Sequence, residues 1–422
     1  MNEMTKNSFL DSIVAPTKSR TDILVMGVGG AGGNAVSHMY DLGIRDVSFV
    51  VCNTDRQALQ CCPIENKIQL GSGHGAGNDP DKGKALALES LDDIMIELEN
   101  SKARMIFITA GMGGGTGTGA SPIIAKAAKS KGLLTVGVVT LPFHYEGPTR
   151  AGQALKGLEE LKANTDSIVV IHNDNISKVY GSLPVMEAFH KADDVLATAV
   201  KGIAEMITRT DFINVDLADV RTTMKDKGLA VMGSARATGE NKIDRAVEMA
   251  LSSPLLNQQD IRGAKKILFN LSFSKDLSLT FDEATRVQPL IQARASLNAG
   301  GAEADIIWGA GPSELLGEDE VELTVVATGF ELGGFTPELT QATPKDGFGL
   351  TIDKEDPEEN TVKWLISDNY KDIDNILLQP AYFRRGLPLM GSTRTTKAQA
   401  GEMLAEAPAE DRAPQAEDRT LF

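Results

Sequence analysis

The chain has 422 residues, 42% of them hydrophobic, and a formal net charge of −16 at pH 7. That length provides two or three domains at about 150 residues each, and the acidic balance excludes nucleic acid or an anionic membrane surface as a direct partner. The 3 cysteines, Cys52, Cys61 and Cys62, form no CxxC or Cys/His cluster, which excludes a structural zinc and fits free thiols in a reducing compartment.

Residues 1–20 are polar and charged and read as a mobile arm with no secretory leader. No apolar run approaches the ~18 residues of a membrane span, so a cytoplasmic chain without membrane insertion is expected. From 21 to 183 strands and helices alternate, with strands predicted at Ile23–Met26, Val47–Val51, Met105–Ile108, Leu133–Thr140 and Ile168–Ile171. Such alternation calls for a parallel sheet covered on both faces. Three of these strands run into polar or glycine-rich segments, at 27–34, 53–55 and 111–119, and ligand sites of open α/β sheets gather at such carboxyl ends.

The richest segment is Gly111-Met112-Gly113-Gly114-Gly115-Thr116-Gly117-Thr118-Gly119. A helix is predicted directly after it, with Ser121 as its cap and Pro122 in its first turn. Uncovered backbone N–H groups at the positive end of a helix dipole suit a polyphosphate, and the two threonines add hydroxyl donors. Gly27–Asn34 contains GxGxxG after a strand, which alone fits a dinucleotide fold, and Asp55 stands where a ribose-binding acid is expected in one. A dinucleotide enzyme needs no second phosphate loop, however. Two loops on one sheet better suit a nucleoside di- or triphosphate gripped from both sides. No Lys follows the glycines around Thr116, so this is not a Walker A motif. Phosphate charge then falls to backbone dipoles, Arg150 and a bound magnesium.

Glu146 and Arg150 either reach one ligand together or form an exposed ion pair. Pro184 to Thr208 reads as one helix of about 35 Å, long enough to bridge two domains; its apolar stripe is Val185, Phe189, Ala192, Leu196, Ala199, Ile203 and Met206. On it Phe189 and Asp193 lie one turn apart. A ring there can stack on a purine, and a carboxylate can accept from N1–H and N2–H of guanine; Phe189 also fits the stripe as core. After the helix, Asp216 and Asp219 read either as helix caps or as carboxylates that position and polarise a water. The long helix carries them too far from the loops to act in their own chain's site. A catalytic role would therefore fall on a neighbouring molecule's nucleotide, in a head-to-tail contact that builds open filaments.

Residues 222–330 are expected to form a second α+β domain, with helices at Ile243–Leu251 and Asp282–Asn298 and strands at Ile267–Phe273, Ala304–Trp308 and Glu320–Gly329. Residues 331–375 read as a solvated acidic linker and 388–422 as a disordered tail. Between them, 376–387 carries an apolar island, including Pro380, Tyr382, Phe383, Arg384 and Arg385. It reads as a docking peptide or as a short strand on the second domain.

GVGGAGGN, NTD, GMGGGTGTGASP, EGPTR, NDNI, the Phe189/Asp193 pair, NVDLADVR and SSPLL occur in this order across residues 21–330. In that combination the chain resembles the FtsZ family of bacterial tubulin-like cell-division GTPases. The resemblance implies an α/β fold: a tubulin-like parallel-sheet GTPase domain (21–183), a central helix and catalytic loop (184–221), and a second α+β domain (222–330). It implies GTP or GDP as ligand, with magnesium, and head-to-tail self-assembly into the division ring, with hydrolysis at the subunit interface. Carried over residue by residue, Gly30, Ala31, Gly32, Gly33, Asn34, Asp55, Gly114, Gly115, Thr116, Gly117 and Thr118 would bind the nucleotide. Ala76 and Gly77 match the family's γ-phosphate-sensing turn, although the loop before Gly75 is shorter than usual. Glu146, Arg150 and Asn173 would address sugar and phosphates, and Phe189 and Asp193 the guanine. Asn214, Asp216 and Asp219 would complete the next subunit's site. The segment 380–385 resembles the C-terminal peptide that binds the membrane tether FtsA and other division proteins, although here residues 386–422 follow it. Two rival readings are a Rossmann-type dehydrogenase that ignores GTP and a tubulin-like structural polymer with little turnover.

Overall fold

Strands without polar residues must be covered on both faces, and the ordered sequence supplies that cover. The computed structural model describes residues 21–44, 46–175, 184–209, 212–253, 261–275, 277, 279–296 and 303–330, with the backbone alone for Val185, Met186, Ala188 and Phe189. The expected arm, linker, docking peptide and tail lie outside the described residues, as do Pro254, Leu255 and Leu256 of the SSPLL motif.

The strands are β1 (Ile23–Val28), β2 (Val47–Asn53), β3 (Asn66–Gln69), β4 (Met105–Gly111), β5 (Leu134–Leu141), β6 (Ser167–His172), β7 (Gly228–Thr238), β8 (Lys266–Ser274), β9 (Asp305–Ser313) and β10 (Glu320–Thr328). They form one sheet of order β3-β2-β1-β4-β5-β6-β7-β10-β8-β9. From β3 to β7 every pairing is parallel, and so is β8 with β9; β10 runs antiparallel to both β7 and β8. The strand order reverses between β1 and β4, the switch point at which open α/β sheets part their helices and leave a crevice.

The helices are α1 (Gly29–Asp41), α2 (Arg56–Cys61), α3 (Pro80–Glu89), α4 (Leu91–Ser101), α5 (Gly115–Ser130), α6 (Pro148–Asn164), α7 (Val185–Thr208), α8 (Leu217–Met224), α9 (Lys242–Leu251) and α10 (Phe281–Ser296). One core face joins Val25, Met39, Phe107 and Val136 to Leu196, Val200 and Ile203 of α7. The other packs Leu24, Met26, Ile106 and Ile108 against Ile94, Ile124 and Leu158. Burial of each such side chain is worth about 1.5–3 kcal/mol. A further cluster lies under α9 and α10, with Phe269, Leu271, Val287, Ile291 and Val325 at its centre.

α7 has 24 residues, a rod of about 36 Å, as its apolar spacing predicts. Ala192, Leu196, Ala199, Ile203 and Met206 of the stripe are buried. The strands expected between residues 222 and 330 are continuous with the first sheet through Ser167–Gly228, Ile168–Leu229 and Val169–Ala230.

One expectation is overturned. α5 starts at Gly115, not at Ser121, so Ser121 and Pro122 stand inside the helix, and Ser121 Oγ donates back to Gly117 O at 2.6 Å. Each glycine costs a helix about 1 kcal/mol relative to Ala, but here close packing requires them. A Cβ on Gly117 would stand 2.4 Å from Gly111 O, and one on Gly119 would stand 2.0 Å from Pro80 O.

Candidate functional site

α1 and α5 start at the carboxyl ends of β1 and β4, the two strands that flank the switch point. Neither helix has a side-chain cap: Val28 and Gly114 occupy the N-cap positions without a side-chain hydrogen bond. By contrast α2, α3 and α8 are capped by the side chains of Asp55, Asp79 and Asp216. α4, α6, α7 and α9 also lack a side-chain cap, so what marks α1 and α5 is their place at the switch point, where first-turn amides with helix dipoles behind them suit anionic oxygen. The two helix ends touch. A Cβ on Gly29 (φ 75°) would come within 2.9 Å of Gly117 N, and the hydroxyls of Thr54 and Thr116 share a 2.6 Å hydrogen bond.

The glycines divide into two groups. Around Gly30 and Gly114 a Cβ would meet nothing within 4 Å, so these two face the crevice. Gly32 faces the sheet, where a Cβ would lie 2.3 Å from Thr109 O, and Gly33 faces Val51. The amides of Gly32, Gly33 and Asn34 lie beyond the free first turn, so among Gly30–Asn34 the unspent donors are Gly30 and Ala31. Thr118 is buried, and its Oγ1 accepts from Gly113 N at 2.7 Å. Its hydroxyl oxygen thus holds the loop, while its O–H remains a donor. Asp55 is exposed and accepts from Gln57 N and Ala58 N, so the carboxylate expected on a ribose spends one oxygen capping α2.

The turn 75–79 lies over the start of α5, where a Cβ on Gly115 would come within 2.8 Å of Ala76 Cβ and of Asp79 N. Gly75 N donates to Thr54 O and Asp79 N to Ala76 O, whereas Ala76 and Gly77 spend no N–H on the backbone. On the other side Glu146 Oε1 accepts from Phe143 N at 2.9 Å, and Glu146 Oε2 pairs with Arg150. His144 N donates to Asp174 Oδ1 at 3.0 Å, which fixes the 173–175 segment beside this turn. There Asn173 is buried and its Oδ1 has no hydrogen-bond partner. A buried orphan acceptor is costly unless a ligand supplies a donor.

Asp193 is the ninth residue of α7, beside the charges of His38, His190 and Asp194. Burial pushes its carboxyl up to about 6, against the pull of His38 and His190 and with the help of Asp194. A carboxylate whose charge is disfavoured by burial in this way gains from a ligand that brings its own N–H donors. His38 Nε2 of α1 meets Asp194 Oδ1 at 2.6 Å and Lys191 Nζ meets Asp194 Oδ2 at 2.7 Å, so α7 is pinned to α1. Sequence reasoning missed this link, because no motif marks a pair 156 positions apart. The Phe189 side chain lies outside the description.

Asp216 and Asp219 form a reciprocal capping box at the start of α8. Asp219 N donates to Asp216 Oδ1 at 2.9 Å and Asp216 N to Asp219 Oδ2 at 3.1 Å. Asp216 and Asn214 are exposed. The loop is held at the amino edge of the sheet: Arg221 Nη2 donates to Arg104 O at 3.4 Å and to Gly132 O at 3.3 Å, immediately before β4 and β5. A hydrogen bond to Asp22 raises the Arg104 guanidinium above its ordinary value, and the nearby charge of Asp216 adds to this. The phosphate loop follows the opposite end of β4, a strand of 7 residues spanning about 20 Å. The structure thus sets the starts of α1 and α5 at the carboxyl edge of the sheet and the Asp216–Asp219 pair at its amino edge.

Among the described residues no group of three or more His, Cys, Asp or Glu could hold a metal ion, and no helix is long and apolar enough to cross a membrane. The Tubulin/FtsZ family, GTPase domain, matches residues 22–181, and the FtsZ family, C-terminal domain, matches residues 228–331. The chain is 41% identical over 385 residues to the cell division protein FtsZ of Aquifex aeolicus, covering 89% of this chain and 98% of that one. It is 45% identical over 312 residues to the FtsZ of Wigglesworthia glossinidia brevipalpis, covering 73% and 79%. Among solved structures, an empty FtsZ dimer of M. jannaschii aligns with a TM-score of 0.67 at 40% identity, over 77% of this chain and 93% of that one. CetZ2 from Haloferax volcanii, a GTPgS-bound protofilament, shares the fold at 21% identity and a TM-score of 0.63, over 76% and 97%. Matched over residues 22–181 and 228–331, and 41–45% identical to FtsZ relatives, this chain belongs to the Tubulin/FtsZ family.

Proposed function

We propose that the chain binds GTP across the starts of α1 and α5 and hydrolyses it only where a second copy, stacked head to tail, brings up Asp216 and Asp219. Family membership makes it a GTP-binding, GTP-hydrolysing protein that forms filaments in cell division. The division of labour between copies rests on one observation: the capping-box carboxylates and the uncapped helix ends stand at opposite ends of the same strands. A chain cannot fold one onto the other, but a stacked copy juxtaposes them without rearrangement.

In this reading the amides of Gly30 and Ala31 hold phosphate oxygens from one side and those of Gly115, Thr116 and Gly117 from the other, while Gly114 leaves room for the approach. Ala76 and Gly77 turn free N–H groups toward the γ-phosphate. Asn173 offers its orphan acceptor to a sugar hydroxyl, Glu146 and Arg150 close the rim, and Phe189 and Asp193 read the guanine. Among the described residues no carboxylate cluster would take magnesium, which would serve here to neutralise phosphate charge. Asp216 and Asp219 of the second copy use their remaining oxygens to orient the attacking water, and Asn214 lies beside them. The filament acts in the cytoplasm at the division site. Pelleting of the purified chain with GTP, and its loss with GDP, checks assembly; a chain that stays in the supernatant with GTP contradicts it.

Recognition of guanine through Asp193 needs its carboxylate form. Its raised value, about 6, means that GDP affinity is full near neutral pH, is about halved at pH 6 and approaches a tenfold fall per unit well below it. Asp193→Asn should bind more weakly at neutral pH and lose that part of the slope. Equal slopes in the two proteins would remove Asp193 from the base contact. We also assign 380–385 to a division partner of the FtsA kind: Arg384→Ala with Arg385→Ala should spare GTP turnover and weaken binding to an FtsA-type tether in a pull-down titration. Unchanged affinity would contradict that assignment.

A further inference from the structure

Gln153 stands on the face of α6 that packs against the phosphate loop. One turn before it the backbone of Arg150 lies 3.1 Å from where a Gly113 Cβ would be, and one turn after it Gly157 lies against Thr118 and Met112. From this position Gln153 Nε2 donates to Asn78 O at 3.4 Å, the carbonyl at the far end of the 75–79 turn. That contact fixes the amide's orientation, because the reverse flip would set two oxygens against each other. Gln153 Oε1 is then buried with no hydrogen-bond partner. Leaving such an acceptor unpaired is unfavourable. The turn it holds is itself under constraint: Gly77 (φ 63°) and Asn78 (φ 60°) are both left-handed, and for Asn78 that region is reached at some cost.

We propose that Gln153 is a positioning residue for the γ-phosphate turn. Its amide nitrogen holds Asn78 so that the N–H groups of Ala76 and Gly77 face the start of α5. Its orphan oxygen receives a donor that arrives only with the triphosphate, a water ordered on the terminal phosphate. Gln153 therefore discriminates GTP from GDP, a role that rests on the GTP-site reading above and names a further residue within it. The resemblance did not point to it: the motif quoted there ends at Arg150, and a glutamine on a helix carries no signal in the sequence.

The test compares full-length wild type with Gln153→Met, which keeps the side chain's length, and Gln153→Glu, which keeps an acceptor but loses the donor. Affinities for GDP and for a non-hydrolysable GTP analogue are measured by calorimetry, with thermal melts as a fold control. Both variants should bind GDP within about twofold of wild type and lose about tenfold or more in the ratio of analogue to GDP affinity, a difference of about 1.4 kcal/mol. A purely structural role would weaken both ligands equally. Equal loss, or an unchanged ratio, would overturn the proposal. Wild type that binds neither nucleotide would instead sink the GTP-site reading itself, so the two failures are distinct.

Discussion

Asp216→Ala should lose GTP turnover by about 10²–10⁴-fold, the range for removing a group that positions or activates a reacting water, while its own affinity for GTP stays within about twofold. The two effects separate because the residue stands at the amino edge of the sheet and the nucleotide at the carboxyl edge. The variant also loses the oxygen that accepts Asp219 N at 2.9 Å, which costs about 1 kcal/mol of helix stability. Asp216→Asn keeps an acceptor for that cap and should melt close to wild type while remaining as inactive. Steady-state turnover alongside equilibrium binding checks both. Full turnover in either variant would remove the carboxylate from the mechanism.

The glycines provide the second large effect. Gly114→Val places its Cβ where no protein atom outside the neighbouring residues lies within 4 Å, at φ −91° and ψ 174°, a conformation open to any residue. The fold should be nearly unaffected, and nucleotide affinity should fall about a hundredfold or more, about 2.8 kcal/mol, because the methyls occupy the approach to the amides of α5. Gly119→Ala should do the reverse. Its Cβ would lie 2.0 Å from Pro80 O and 2.7 Å from Lys84 N. α3 must move off α5, at about 3 kcal/mol of stability, while the phosphate-facing amides are only indirectly disturbed. Thermal melts and GDP titrations of the pair settle whether the glycines serve packing and ligand separately. Parallel losses in both variants would contradict the division.

Much of this was legible in the sequence. β1, β4 and β5 read as buried strands because the covered centre of a parallel sheet leaves an unbroken apolar run. α7 read as one rod because its stripe repeats at helical spacing for 24 residues. Two strands were missed. β3 (Asn66–Gln69) is an edge strand in which Ile68 alone faces the core, and β7 (Gly228–Thr238) is diluted by Gly233, Ser234, Ala235 and Ala237. The start of α5 was misread for a related reason: local propensity puts glycines in a loop. Only neighbours unseen in the local pattern make them obligatory in a helix: Gly111 O of β4 at Gly117, Ala76 and Asp79 at Gly115 and α3 at Gly119. For the proposed site, motif spacing singles out Gly114–Gly117, Asp193 and Asp216. Gln153 and the His38–Asp194 link depend on which helices lie side by side, and the local pattern carries no record of that.

The claim that the active site is shared between copies is tested most directly by GTP turnover per subunit as protein concentration is raised, at fixed GTP and magnesium. The account predicts almost no turnover below a threshold concentration and constant turnover per added subunit above it, since each new stacked contact completes one site. Turnover per subunit that is already full at the lowest concentration, and flat thereafter, would place the whole site in a single chain and contradict it.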